Sequence, residues 1–330
     1  MLSMPRIVRP DSSGFSGQKL VPPLNRPLTG PFSETKNWPK LLIRNLWRQA
    51  NQRAVFTSST VKTRLVISAL RREDNRMPQP KIPVTRIAMW SGPRNISTAM
   101  MRAWGNRSDT VVVDEPFYAF YLKETGTKHP GAEEVIARGE TDWRKVVELC
   151  TRNASPVEDS PWRARNIFYQ KQMTHHLLPE VSRDWLRDVT NCFLIRDPAE
   201  VIASYVKKNP EPELNDLGFV QQAEIFDFVR GQTGSIPPVI DADDVLRDPE
   251  RMLRLLCDAI GVEFSDAMLS WPPGPRETDG IWAKYWYAEV ESSTGFQPYR
   301  DRKIEVPERL REVHARCREC YERLHTARLH

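Results

Sequence analysis

No apolar run reaches 18 residues anywhere in the sequence, which excludes a bilayer-spanning helix on length alone. An uninterrupted apolar stretch is also missing from the amino terminus, so the pattern of a secretory signal is absent. Cysteine is scarce and odd in number, five in 330 residues, at Cys150, Cys192, Cys257, Cys317 and Cys320. That count fits a reducing compartment, with thiols used as small hydrophobes, and the expected setting is cytoplasmic. Cys317 and Cys320 make one C-x-x-C with no second pair, inside a charged, helix-like tail. They read as ordinary helix residues three apart rather than metal or redox ligands. Internal repeats are lacking too.

A basic surplus is lacking from the main body. Residues 1 to 80 hold 14 Lys and Arg against 4 Asp and Glu, while the remainder holds 34 against 39. The basic isoelectric point therefore belongs to the amino-terminal arm, and no nucleic-acid partner is expected, because that would want basic residues clustered on a folded face. The arm carries Pro5, Pro10, Pro22, Pro23, Pro27, Pro31 and Pro39 with Ser and Gly between them. It reads as a largely disordered or accessory extension, with room for a helix or two over residues 41–70. Its richness in Arg and poverty in acid would also suit organelle import in a eukaryote.

From Thr85 onward, short apolar runs alternate with amphipathic stretches, the pattern of a mostly parallel sheet flanked by helices. Strands are expected at 86–90, 110–114, 166–170, 191–195 and 238–241. Helices are expected at 97–104, 141–151, 198–207, 219–231, 249–260 and 307–325. Two helix starts are explicit, since Asp197 and Asp248 each precede a proline, pairing an N-cap with proline at the first helical position. The stretch from Trp271 to Arg300 is rich in aromatics, Pro and Gly, and reads as a long ordered loop with a short helix over 281–289.

Two strand-to-helix junctions carry chemistry. In IAMWSGPRNISTAMMRAW an apolar strand runs through Ser91, Gly92, Pro93, Arg94, Asn95 and Ile96 into a helix that opens with Ser97 and Thr98. Unpaired backbone N–H groups and the helix dipole converge there on one point, which suits an anion. A nucleoside-triphosphatase loop would end in G-K-[ST]; here the second glycine and the lysine are absent. In NCFLIRDPAEVIASYVKK a strand delivers Arg196, and Ser204 follows eight residues later on a helix. Both side chains can reach one phosphate, Arg by its fork and Ser by a further donor. Purely structural roles, a turn at the first junction and an ion-paired Arg at the second, fit these residue types as well.

These residues resemble a family. GPRNIST is similar to the phosphosulfate loop of the sulfotransferases that use 3'-phosphoadenosine 5'-phosphosulfate (PAPS). The Arg196-to-Ser204 segment resembles their 3'-phosphate motif, and DADDVLRDPERMLRLLCDAIGVEF resembles their next strand, D-P-E turn and helix. The resemblance implies a three-layer P-loop-type α/β domain over residues 81–330 and transfer of a sulfuryl group to a small-molecule hydroxyl or amine, with no metal. It implies that Gly92 to Thr98 hold the 5'-phosphosulfate, Arg94 faces the transferring group, and Arg196 and Ser204 bind the 3'-phosphate. Two places depart from the pattern: Ile96 replaces a small loop residue, and the nearest counterpart of the family's closing segment is Thr294, Gly295 and Arg300.

The resemblance also implies a base where the second strand ends, beside the phosphate loop. Glu115 takes that part, with Asp114 as the alternative, and His175 and His176 after the third strand compete for it. Phe117, Tyr118, Phe120, Tyr121 and the aromatics from Trp282 to Tyr287 line an acceptor pocket or belong to the core. Two other readings stay open, a kinase or other phosphoryl-transfer enzyme using magnesium and ATP, and a nucleotide-binding protein without chemistry.

Overall fold

The computed structural model describes residues 84–152, 166–301 and 304–330. The amino-terminal arm and the helices expected over 41–70 lie outside the described residues. Five strands, β1 (Thr85–Ser91), β2 (Thr110–Asp114), β3 (Ile167–Met173), β4 (Thr190–Ile195) and β5 (Val239–Asp241), form one parallel sheet in the order β2-β3-β1-β4-β5.

Side-chain alternation along these strands builds the three layers, because successive residues face opposite sides of a sheet. On one face, Ala88, Trp90, Phe193, Ile195 and Val239 pack into a core with residues of α4 (Trp143–Thr151), α5 (Pro198–Tyr205), α6 (Phe219–Thr233) and α11 (Arg311–His325). On the other, Ile87, Met89, Cys192, Leu194 and Ile240 pack with residues of α1 (Ser97–Gly105), α7 (Ala242–Arg247) and α8 (Pro249–Ile260). Covering both faces explains why the central strands read as unbroken apolar runs. Each large aliphatic or aromatic side chain buried this way contributes about 1.5–3 kcal/mol. Cys317 lies fully inside the first core, and burial pushes its thiol up to about 12, so it behaves as a hydrophobe.

Helix starts follow the local signals. Asp197 and Asp248 accept from the backbone N–H of Ala199 and Arg251, and Pro198 and Pro249 hold the first helical positions. Three helices escaped the sequence reading: α2 (Tyr118–Thr125), α3 (Ala132–Arg138) and α7. α2 is built from YAFYLKET, in which aromatic residues of middling helix propensity are held by burial. The aromatic stretch carries two single turns, α9 (Ala283–Trp286) and α10 (Ala288–Glu291), where one helix is expected.

One expectation needs correction. The end of β2 does not lie directly beside the strand that leads to the loop, because β3 is inserted between β1 and β2. The register sets Asp114 against Lys171, and Lys171 in turn against Met89. β3 also runs on to Met173, three residues past the expected strand end at 170, through the buried polar side chains Gln170, Lys171 and Gln172. Their hydrogen-bonding groups are satisfied: Gln170 Nε2 donates to the Cys150 carbonyl at 2.7 Å and Gln172 Nε2 to Gln170 Oε1 at 3.1 Å. Lys171 is met by the carboxylates of Asp114 and Glu115.

Candidate active site

The loop Gly92–Ile96 joins the tip of β1 to α1, at the carboxyl edge of the sheet where parallel α/β folds bind ligands. Gly92 is required by a close approach, since a Cβ there would lie 2.8 Å from the Leu217 carbonyl oxygen. Gly218 closes the other side. Its φ is +73°, and a Cβ would meet Thr174 Oγ1 at 2.6 Å, with the Gly92 Cα at 3.4 Å and His175 Nδ1 at 3.5 Å. A short 3-10 turn, Leu214–Leu217, thus brings its end against both the loop and the end of β3. Gly218→Ala should lower stability by about 1–3 kcal/mol, read as a drop in melting temperature, because it combines a left-handed backbone with a clash.

Within the loop, Arg94 holds a left-handed backbone, φ 55°, uncommon for a residue with a Cβ. Its Nε donates to Ser204 Oγ at 2.9 Å, and its carbonyl oxygen accepts from Arg196 Nη1 at 2.8 Å. Two motifs about a hundred residues apart thereby meet at one place. Asn95 braces the turn, donating through Nδ2 to the Leu194 carbonyl at 3.0 Å and accepting from the Ile96 N–H at 2.8 Å. The Ile96 side chain packs on the core under α1. Ser97 is buried and Thr98 half-buried at the start of α1, whose first turn has no side-chain cap. Those amides are free to meet an anion.

Arg196 has a partner the sequence reading missed. Glu200, one helical turn on, takes its Nε at 2.8 Å and its Nη2 at 2.6 Å. The i to i+4 spacing was the signal that could have found it. Asp243, at the start of α7, adds further negative charge here, and its carboxyl is pushed up to about 6 by burial and by Glu200 and Asp241.

The third cluster sits where β2 and β3 end. Lys171 Nζ, with 2% of its side chain exposed, donates to Asp114 Oδ1 at 3.0 Å, Glu115 Oε1 at 2.5 Å and the Tyr287 hydroxyl at 2.6 Å. Asp114 also accepts from the Tyr287 hydroxyl at 2.7 Å and the Gly280 N–H at 3.0 Å. Burial raises the Glu115 carboxyl above its usual range, the neighbouring Asp114 adds to this, and Lys171 opposes it. Burial works against the Lys171 charge, yet Asp114, Glu115 and Tyr287 hold that group well above its ordinary value.

His176 Nδ1 lies 3.9 Å from Glu115 Oε2, and its ring stacks between Tyr118, centroids 4.8 Å apart, and Tyr121, 4.6 Å apart. His175 crosses His176 edge-on at 4.4 Å. Burial lowers both imidazoles, His175 to about 3 and His176 well below its usual value, so both are neutral near pH 7. Neither Nδ1 has a hydrogen-bond partner among the described residues. Phe117 and Phe120 belong to the large core, while Tyr118 and Tyr121 form a smaller cluster edged by Trp282.

A family model described as a sulfotransferase domain matches residues 85–309, which takes in the loop, Arg196, Ser204 and the Lys171 cluster. The chain belongs to the sulfotransferase-domain family. Among curated proteins, two from Arabidopsis thaliana match, branched-chain-amino-acid aminotransferase-like proteins 1 and 2. The first is 36% identical over 220 residues, 67% of this chain and 37% of its own; the second is 35% identical over 210 residues, 64% and 36%. The chain thus spans little more than a third of the length of these relatives. Similar solved structures include the sulfotransferase domain of the Synechococcus PCC 7002 olefin synthase, 19% identical, TM-score 0.47, covering 74% of this chain and 97% of that one. The sulfotransferase domain of the curacin biosynthetic pathway is 16% identical, TM-score 0.44, covering 72% and 96%.

In this sulfotransferase domain the Thr294 carbonyl accepts the Trp271 N–H at 3.0 Å, Gly295 bridges Ser270, and Arg300 is exposed. The same segment reaches α7, where Tyr299 donates its N–H to the Leu246 carbonyl at 3.2 Å and lies under Arg247, 3.8 Å from the ring centroid. A cavity of about 370 Å³ is lined by Trp143, Trp185 and Arg187 among others, none of them a loop or Glu115-cluster residue. Among the described residues, no helix is long and apolar enough to cross a membrane.

Proposed function

We propose that this sulfotransferase takes PAPS as donor and passes its sulfuryl group to a small-molecule acceptor, with Glu115 as the base. The observation that carries the reading is the meeting of Arg94, Arg196 and Ser204 through bonds of 2.8 and 2.9 Å. A donor with phosphate groups at both ends of an adenosine needs two anion sites side by side, one at a helix amino terminus and one at an Arg with a nearby hydroxyl. Gly92 to Thr98 would hold the 5'-phosphosulfate, and Arg196 with Ser204 the 3'-phosphate, Glu200 yielding Arg196 to it.

Glu115 Oε2 takes the acceptor proton as the acceptor oxygen or nitrogen bonds to sulfur. The bond from sulfur to the bridging oxygen breaks, and adenosine 3',5'-bisphosphate leaves. Arg94 and the α1 amides meet the charge that gathers on that oxygen, so this reading calls for no metal. Between the candidate bases, Glu115 suits the task better than the histidines. A raised carboxyl approaches working pH, whereas an imidazole lowered to about 3 is a weak proton acceptor there.

A thermal-shift titration tests the donor. Adenosine 3',5'-bisphosphate at about a hundred times its dissociation constant should stabilise the protein by about 2.7 kcal/mol, well ahead of 5'-AMP at the same concentration. Arg196→Met should erase the difference. Equal responses to both compounds, or a response only to ATP with magnesium, would sink the assignment.

A further inference from the structure

A buried lysine between two carboxylates, on a strand of the sheet, has an obvious structural use, yet its geometry is unequal in a way that such a use does not need. Asp114 is fully engaged, accepting from Lys171, the Tyr287 hydroxyl and the Gly280 N–H. Glu115 is engaged on one side only. Oε1 accepts from Lys171, while Oε2 has no hydrogen bond among the described residues and faces His176 Nδ1 at 3.9 Å. Lys171 also holds Glu115 by the backbone, because its carbonyl oxygen accepts the Glu115 N–H at 3.0 Å. One residue therefore grips the other at both main chain and side chain. This matters because Glu115 has φ 40°, a conformation a non-glycine residue keeps only when its surroundings dictate it.

We infer that Lys171 and Asp114 are positioning residues for Glu115: Lys171 fixes which carboxylate oxygen is left for chemistry, and Asp114, tied through Tyr287 and Gly280 to the aromatic segment, fixes Lys171. The inference rests on Glu115 being the base. Charge counting supports it. Lys171 brings one positive charge against two carboxylates in a dry site, and Glu115 is the one of the two left with an oxygen that has no hydrogen bond among the described residues. The groups facing Glu115 are Lys171 and His176 from β3 and the turn after it, Asp114 from β2, Tyr118 from α2, and Tyr287 from the aromatic segment, with His175 and His129 behind. Both histidines beside it are neutral, so Lys171 and Asp114 are the two charges that move its titration. Tyr287 links this network to the segment, since its hydroxyl accepts from Lys171 and from Trp282 Nε1 while donating to Asp114. Seating of residues 280–287 and the setting of the base are thus one structural event.

The test reads Glu115 itself, with no donor or acceptor present. Carboxyl carbon NMR on the full chain labelled at glutamate follows the Glu115 titration, the signal being assigned by its loss in Glu115→Gln. Asp114→Asn removes a like charge and should move the midpoint down by about one pH unit; Lys171→Gln removes the opposite charge and should move it up by at least as much. Lys171→Gln leaves two buried carboxylates facing each other, so if it fails to fold the double variant Asp114→Asn, Lys171→Gln replaces it. The double variant should leave the midpoint closer to wild type than the folded single variants do, and should release the Glu115 side chain, seen as a broadened signal. A midpoint unchanged in Asp114→Asn, together with an unchanged midpoint in folded Lys171→Gln or an unbroadened Glu115 signal in the double variant, and only melting temperature lowered, would overturn the inference and leave a purely structural ion cluster. A shifted midpoint together with full turnover in Glu115→Gln would uphold the network while removing the base assignment, so the two failures are distinguishable.

Discussion

Glu115→Gln should cut turnover by about 10²- to 10⁴-fold, the usual contribution of a positioned base, while adenosine 3',5'-bisphosphate still binds. The substitution keeps an acceptor oxygen for Lys171 and nearly the same volume, so little else changes. His175→Ala and His176→Ala should each cost far less, because both imidazoles are held neutral and poorly basic by burial. In the wild type, the acid limb of the kcat profile should fall above the ordinary carboxylate range, since burial and then Asp114 raise Glu115. The same displacement has a stability counterpart with a definite sign. A carboxyl raised in the folded state keeps its proton after the unfolded chain has lost it. Folding stability from this group is therefore unaffected below the unfolded value, falls as pH climbs toward the folded one, and levels off above it. Melting curves of Glu115→Gln should match wild type near pH 4 and run higher near pH 8. A variant with full turnover and no such divergence would remove Glu115 from the mechanism.

Most of the frame was legible because its signals are local. Strand β2 and helix α8 fall on the expected residues, the first from an unbroken Thr-Val-Val-Val-Asp run, the second from Asp248, Pro249 and the closing Gly261. The loop, Arg196 and Ser204 were legible for the same reason, each being fixed by a strand tip and the helix that follows. What stayed hidden depends on pairing between distant residues. No local pattern says that β3 slides between β1 and β2, and without that order Lys171 reads as a polar end to a strand. Its partner Asp114 is 57 residues away, and Tyr287 is 173 residues beyond Asp114. Helix α2 was missed because its aromatics are chosen by the rings they pack against, His176 and Trp282 among them, and hardly by helix propensity. Glu200 is the instructive case, since its i to i+4 spacing from Arg196 was visible in the sequence and supplies the partner for the ion-paired alternative left open there.

Asp279→Ala should destabilise the domain by about 3–5 kcal/mol, the cost of leaving one member of a buried ion pair without its partner. Arg102, on α1 immediately after the Gly92–Ile96 loop, forks onto Asp279 with bonds of 2.5 and 2.8 Å, and the two side chains are 3% and 4% exposed. Asp279 also accepts the Arg276 N–H at 2.7 Å, so it ties the aromatic segment to α1, as Tyr287 ties it to Lys171 and Asp114. At about 2–4 °C per kcal/mol for a domain of this size, the melting temperature should drop by about 6–20 °C. Substituting both partners, Arg102→Met with Asp279→Leu, removes the stranded charge and should restore most of the loss, which separates an electrostatic penalty from a packing defect. The restored protein should still bind adenosine 3',5'-bisphosphate, because neither residue touches Arg94, Arg196 or Ser204 through any bond among the described residues. If the double variant recovers stability but loses ligand binding, the pair does more than anchor: it sets the pitch of α1, and with it the direction in which the loop amides point.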